Sequence, residues 1–287
     1  MAQFPQARTV LLTGAGGRLG RLLRRAARRD GTGACDVIFQ SRRPDEDEAG
    51  PTLRWTPGDP LSRLPRSDTI VALWGRTTGT PAELAENETL VATGHAVAWA
   101  CGARRLLHLS SAGVYGPGEA LAEDAPLAPA SDYARSKCAM ERAVARLPAD
   151  DGIAHCCLRL ANVVGADSLA PALRGDGPVR LDRFADGGGP MRGYIAAGDL
   201  LRVIRALAAL APRTLPTVVN VAAPASVGMA ALARAAGHDI IWRPAPATAR
   251  QIVTLDTARL GRLLPDMRFL STPAGLIADW RTLEALP

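Results

Sequence analysis

The stretch SDYARSKCAM, residues 131–140, sets Tyr133 and Lys137 four positions apart, and Lys137 is the only lysine among the 34 Lys and Arg residues of the chain. On a helix that spacing puts both side chains on one face. A phenol with its ordinary pKa of about 10 is a weak base at neutral pH. A neighbouring ammonium stabilises the phenolate, each unit of lowering corresponding to about 1.4 kcal/mol. Lysine also carries a compact head with three donors that suits ribose hydroxyls, where a planar guanidinium would not fit the same space. In a chain that uses arginine everywhere else, these demands account for a single lysine and mark Tyr133 and Lys137 as an acid/base pair.

A second chemistry-bearing stretch is VLLTGAGGRLGRLLRRA, a strand, a glycine turn and a helix with Gly14, Gly17 and Gly20 at three-residue intervals. Such a turn lets the backbone approach a pyrophosphate, whose charge sits on the first amides of the helix. The turn takes in Gly16, Arg18 and Leu19, and the common G-x-G-x-x-G spacing fails by one position because its last glycine would fall on Leu19. The next strand reads DVIFQSRR, with Ser41 where a carboxylate would hold an NAD ribose and Arg42 after it. A hydroxyl and a guanidinium suit a 2′-phosphate, so NADP is the expected cofactor, with NAD the alternative. The plain alternative for Arg42 and Arg43 is a pair of solvated loop arginines.

These residues need a scaffold. TVLLTG (9–14), CDVIFQS (35–41), DTIVALWG (68–75), RRLLHLSS (104–111) and AHCCLRLANVVG (154–165) are apolar runs of the kind that parallel strands buried on both faces show. Helical periodicity at 18–29, 82–101 and 132–147 separates them, giving repeated βα units and an α/β, doubly wound parallel (Rossmann) sheet. Beyond residue 165 the chain turns Gly/Pro-rich, with a helix near 198–211 and a strand at TVVNVAA (217–223). The expected division is a nucleotide-binding domain over 1–165, rejoined by 194–223, and a small substrate lobe from 166–193 and 224–287. RRPDEDEAGP (42–51) reads as a polar loop.

Composition excludes several classes. With 47% hydrophobic and 22% charged residues over 287 positions the chain has material for a buried core. No apolar run approaches the roughly 18 residues of a membrane span. The first residues run straight into a strand without a basic, then apolar, leader, so a cytoplasmic location is expected. The net charge of +6 is spread along the chain at helix-surface spacing and does not point to nucleic acid. Five cysteines lack metal-ligand spacing and read as buried thiols. His95, His108, His155 and His238 read as core or surface histidines, and no metal site is expected.

Together the motifs resemble the extended short-chain dehydrogenase/reductase superfamily, specifically its NAD-dependent epimerase/dehydratase family and UDP-galactose 4-epimerase-like proteins. TGAGGRLG resembles the TGxxGxxG loop, YARSK matches YxxxK, SSAGVYG resembles SSxxVYG, LRLANVVG is similar to LRxxNvyG, and MRGYIAAGDLLRVI to the RdyihvxDla segment. The resemblance implies that Ser111 polarises a carbonyl, Tyr133 is the general acid/base and Lys137 binds ribose. It also implies cofactor contacts at Asp59 on the adenine side and at Leu73 and Gly75 on a strand end, a structural asparagine at Asn87, and substrate-side positions at Arg76, Asn162 and Arg192. Asn162 could equally brace its strand end. Gly193 and Ala196 depart from the acidic residue and histidine of nucleotide-sugar members, which puts Arg192 as a phosphate ligand in doubt. The chain is shorter than typical members in the lobe, which suggests a smaller substrate. The implied function is hydride transfer between nicotinamide and a carbonyl or secondary alcohol of a small sugar-like or hydroxylated molecule. An epimerase with tightly held cofactor is the alternative and a non-catalytic cofactor sensor the second. A homodimer through helices 82–101 and 132–147 is implied as well.

Overall fold

The computed structural model of the chain describes residues 8–31, 35–43 and 52–286. Its main sheet has seven strands: β1 (Arg8–Thr13), β2 (Cys35–Ser41), β3 (Thr52–Arg54), β4 (Thr69–Ala72), β5 (Arg105–Ser111), β6 (Ala154–Leu160) and β7 (Val218–Val221). The order across the sheet is β7-β6-β5-β4-β1-β2-β3 and every pairing is parallel. Helices cover both faces, so the inner strands are buried throughout. Leu11, Leu12, Ile70, Leu106, Leu107 and Leu158 are fully enclosed, which is why these segments read as continuous apolar runs rather than alternating ones. Strand β3 was not expected. It is two half-exposed residues and the exposed Arg54 at the sheet edge, and most of the polar loop that precedes it (44–51) lies outside the described residues.

The flanking helices labelled here are α1 (Arg18–Asp30), α2 (Glu86–Cys101), α3 (Asp132–Val144) and α4 (Ala197–Ala209). The periodic segment expected at 82–101 is broken at its start. A short helix, Pro81–Leu84, is closed by a Thr80–Glu83 capping box before α2 begins, and Gly102 in the left-handed conformation ends α2. On one face α1 packs against α4, while α2 and α3 pack together on the other. The C-terminal helix Pro273–Glu284 also lies on α1, where Asp279 accepts from Arg29 at 2.6 Å and Trp280 joins the main core. Outside the main sheet, strands Ser226–Gly228, Met191–Ile195, Ile252–Leu255 and Gly118–Leu121 form a small sheet, and Val179–Arg183 pairs with Ile240–Pro244.

Because the seven strands are parallel, their C-terminal ends share one edge. Thr13, Ser41, Ala72, Ser111 and Leu160 close their strands there, so the turns that follow converge at the place where doubly wound sheets bind ligands.

Candidate active site

The glycine turn is braced from the side. The Gly14 amide donates to Gln40 Oε1 at 2.8 Å and the Ala15 amide to the Gln40 carbonyl at 2.8 Å, while the Gln40 amide group donates to the Trp55 carbonyl. A Cβ on Gly20 would stand 2.3 Å from the Ala15 carbonyl oxygen, so only glycine lets α1 approach the turn this closely. Helix α1 starts at Gly17 with no side-chain cap and no acidic residue in its first turn. Its first amides are left for an anion. A Cβ on Gly17 would meet only the Gly14 carbonyl, at 3.8 Å. That open space above unpaired amides fits a pyrophosphate.

Ser41 is buried and its oxygen stands 2.8 Å from the Cβ position of Gly16, which puts it beside the turn as the sequence suggests. Its hydroxyl donates to the Arg43 carbonyl at 2.9 Å and accepts from the Arg43 amide at 3.2 Å, folding the chain so that Arg42 is exposed at the strand end. Asp59 accepts from the Thr56 amide at 2.8 Å in the turn after β3. Arg18 is exposed and Leu19 half-buried against the core.

On the neighbouring strand, the Leu73 amide donates to the Thr13 carbonyl at 3.0 Å. Gly75 has φ +133, and its Cβ position lies 2.4 Å from Asn87 Oδ1 and 3.6 Å from Lys137 Nζ. The asparagine amide is fully used. Its oxygen accepts from the Arg76 amide at 2.8 Å and its nitrogen donates to the Arg76 carbonyl and to Ser136 Oγ. Asn87 therefore positions the strand end and α3 relative to each other.

Helix α3 begins where Ser131 caps it by accepting from the Ala134 amide at 3.2 Å, which fixes Tyr133 in its first turn. The Tyr133 side chain lies beside Ser111, and Ser111 Oγ is held by the Gly113 amide at 3.1 Å. One turn on, Lys137 is 5% exposed. Its Nζ donates to the Leu109 carbonyl at 2.8 Å and lies 5.9 Å from the centre of the Tyr133 ring. Burial lowers the Lys137 pKa to about 8, against the raising effect of Cys157 and Glu141. Burial raises the Tyr133 pKa, with Ser111 working the other way.

Directly behind Ser111 lies a buried polar network that the sequence did not reveal. Ser110 donates to Glu141 at 2.5 Å, Glu141 pairs with Arg159 at 2.7 Å, and Arg159 donates to the Tyr115 hydroxyl at 2.8 Å, which donates to Asn220 at 2.7 Å. It joins β5, α3, β6 and β7 beneath the serine. Gln40 and Trp74, whose backbone abuts Gly14, were missed too. No motif spacing marks them, since each works by contact with a distant element.

The substrate-side candidates separate. Asn162 follows β6 at the same edge as Ser111, its amide donating to Asp167 at 3.5 Å. Burial raises the Asp167 pKa to about 6, the nearby Tyr194 hydroxyl and backbone amides opposing. Arg192 donates to the carbonyls of Met191, Gln251 and Arg250; its guanidinium holds two lobe strands together. Arg76 is exposed at the mouth and pairs with Glu86 at 2.7 Å.

Comparison with known proteins adds independent findings. Residues 10–222 match the family described as NAD dependent epimerase/dehydratase family. A dTDP-6-deoxy-L-talose 4-dehydrogenase (NAD(P)(+)) of Kitasatospora kifunensis is 31% identical over 235 residues, 74% of this chain and 73% of that protein. MoeE5 in complex with UDP-glucuronic acid and NAD shares the fold with a TM-score of 0.77 at 20% identity, over 96% of this chain and 99% of its own. The UDP-glucuronic acid 4-epimerase of Bacillus cereus, in complex with UDP-glucuronic acid and NAD, gives 0.75 at 18% identity, over 97% and 100%. Both solved chains are matched over nearly their whole length.

Proposed function

The chain belongs to the NAD-dependent epimerase/dehydratase family, and on that premise we propose that it is a pyridine-nucleotide-dependent oxidoreductase acting on a carbonyl or secondary alcohol of a nucleotide-linked deoxysugar. The observation that carries the reading is the convergence of Ser111 and Tyr133 at the C-terminal edge of the sheet, one helical turn from a buried Lys137. The cofactor, when bound, supplies the hydride donor or acceptor. The residues placed to hold it are the turn Gly14–Gly20 for the pyrophosphate and Lys137 for a ribose. Ser111 hydrogen-bonds the reacting oxygen, and Tyr133 gives that oxygen a proton or takes one from it.

The preferred cofactor is NADP, supported by Ser41 and the exposed Arg42 in place of a carboxylate at the end of β2. The protein acts as a homodimer through α2 and α3, a reading supported by Trp99, which leaves 64% of its surface exposed on α2. A cytoplasmic setting is supported by five free, buried cysteines. The test is a panel of dTDP- and UDP-linked sugars and 4-keto-6-deoxysugars, each with NADPH, NADH and their oxidised forms, followed by nicotinamide absorbance. Turnover with a nucleotide sugar and exchange of cofactor in each cycle is the expected result. Inversion of a sugar carbon without net change in absorbance, by protein that keeps its cofactor through purification, would make it an epimerase instead.

A further inference from the structure

Three donor atoms outside the catalytic edge face one another with no hydrogen-bond partner. His95 is on α2, Asp151 lies in the loop that leads into β6, and His155 is the second residue of β6. His95 Nδ1 is 3.5 Å and His155 Nε2 3.9 Å from Asp151 Oδ2. All three atoms are buried and none has a hydrogen-bond partner. Among the described residues this is the group of three such side chains whose ligating atoms fall within 4.8 Å of one another. Buried polar atoms are rarely left unsatisfied, and three orphans converging on one point call for an occupant that accepts two imidazole lone pairs and a carboxylate together.

We propose that His95, Asp151 and His155 bind a divalent transition-metal ion of the zinc class. Two neutral imidazoles with one carboxylate suit such an ion, whereas magnesium and calcium take oxygen shells. Zinc bonds of about 2 Å at tetrahedral angles set ligand atoms roughly 3.3 Å apart, so the gaps seen close by under an ångström for each Asp151 pair. The outer shell is also present. His155 Nδ1 lies 3.3 Å from Nε2 of the buried His108, and with Nδ1 donating there Nε2 of His155 carries the lone pair that ligates. With three protein ligands the fourth position is left to water, and the half-buried His95 gives solvent a way in. The site lies in the first half of β6, on the face covered by α2, away from the strand ends that carry Ser111. Its effect is to clasp α2 to the loop before β6.

The test uses tag-free protein stripped with a chelator, so that its outcome is independent of the nucleotide-sugar activity. Zinc chloride is titrated by calorimetry and by competition with a chromogenic chelator. One equivalent should bind and raise the melting temperature, while magnesium at the same concentration does neither. Asp151→Asn and His95→Gln should each weaken zinc binding a hundredfold or more and remove the melting shift. Cobalt bound to the parent protein should show visible ligand-field bands without thiolate charge-transfer absorption. The absence of a saturable equivalent, unchanged zinc affinity in a folded variant, or a thiolate spectrum would each overturn the proposal. The cobalt spectrum decides the matter even where a variant fails to fold.

Discussion

Removing the carboxylate of Glu141 should be among the most destabilising single changes in this chain, although the residue touches neither cofactor turn nor Tyr133. Glu141 and Arg159 are only 8% and 6% exposed and pair at 2.7 Å. Glu141→Ala leaves the guanidinium buried with only the Tyr115 hydroxyl and the Glu123 carbonyl to meet it. Breaking one side of a buried pair costs about 3–5 kcal/mol, and the two remaining bonds argue for the lower end. Ser110 loses its acceptor in the same step, adding about 1 kcal/mol, so about 4 kcal/mol is expected. An unfolding entropy of about 2.1 cal/mol/K per residue makes that a fall of roughly 7 °C in melting temperature for a chain of this length. The assay is urea denaturation at neutral pH with a parallel thermal scan. Glu141→Leu/Arg159→Met, which removes both charges and fills the space, should recover more than half of the loss. A single variant within about 1 kcal/mol of the parent, or a double variant worse than the single, would show that the network is not the buried charge system described.

Lys137→Arg should keep the fold yet lower turnover on the order of a hundredfold or more, because the larger planar head cannot occupy the space between Leu109 and Gly75; parallel melting curves and kinetics check it. Arg42→Ala should weaken NADP(H) binding while leaving NAD(H) nearly unchanged, as read by titrating both cofactors; equal losses would remove the argument from Arg42. Asp167 has a folded pKa of about 6, above its ordinary 3.8, so its contribution to stability is whole below pH 3.8 and lost as pH rises through 6. Asp167→Asn should therefore be more stable than the parent at pH 8 by on the order of 1–2 kcal/mol and lose that advantage near pH 4; a difference in urea midpoint independent of pH would refute it.

The parts of this molecule that announce themselves in sequence are those whose physics is local. A strand buried on both faces must be apolar along its length, so β1, β4, β5 and β6 were legible. The glycine turn and the Tyr133–Lys137 interval are fixed by the helix and strand that carry them. Strand β3 was not legible because three edge residues carry no periodicity. Nor was the Ser110–Glu141–Arg159–Tyr115 network, since its members come from separate elements and a buried arginine reads like any of the others. The converging atoms of His95, Asp151 and His155 were hidden for the same reason, and sequence shows Arg192 as a cation without showing the three carbonyls it donates to.

The burial of Lys137 has a consequence for labelling chemistry. Every other basic side chain is an arginine, so this enclosed ammonium is the only side-chain amine an acylating reagent can find. Succinimide esters or reductive methylation would then modify side chains only as fast as the floor around Leu109 and Gly75 opens. Peptide mass mapping after timed exposure would report the breathing of one cavity from the peptide that carries Lys137, read apart from the α-amine of the chain and with no engineered probe.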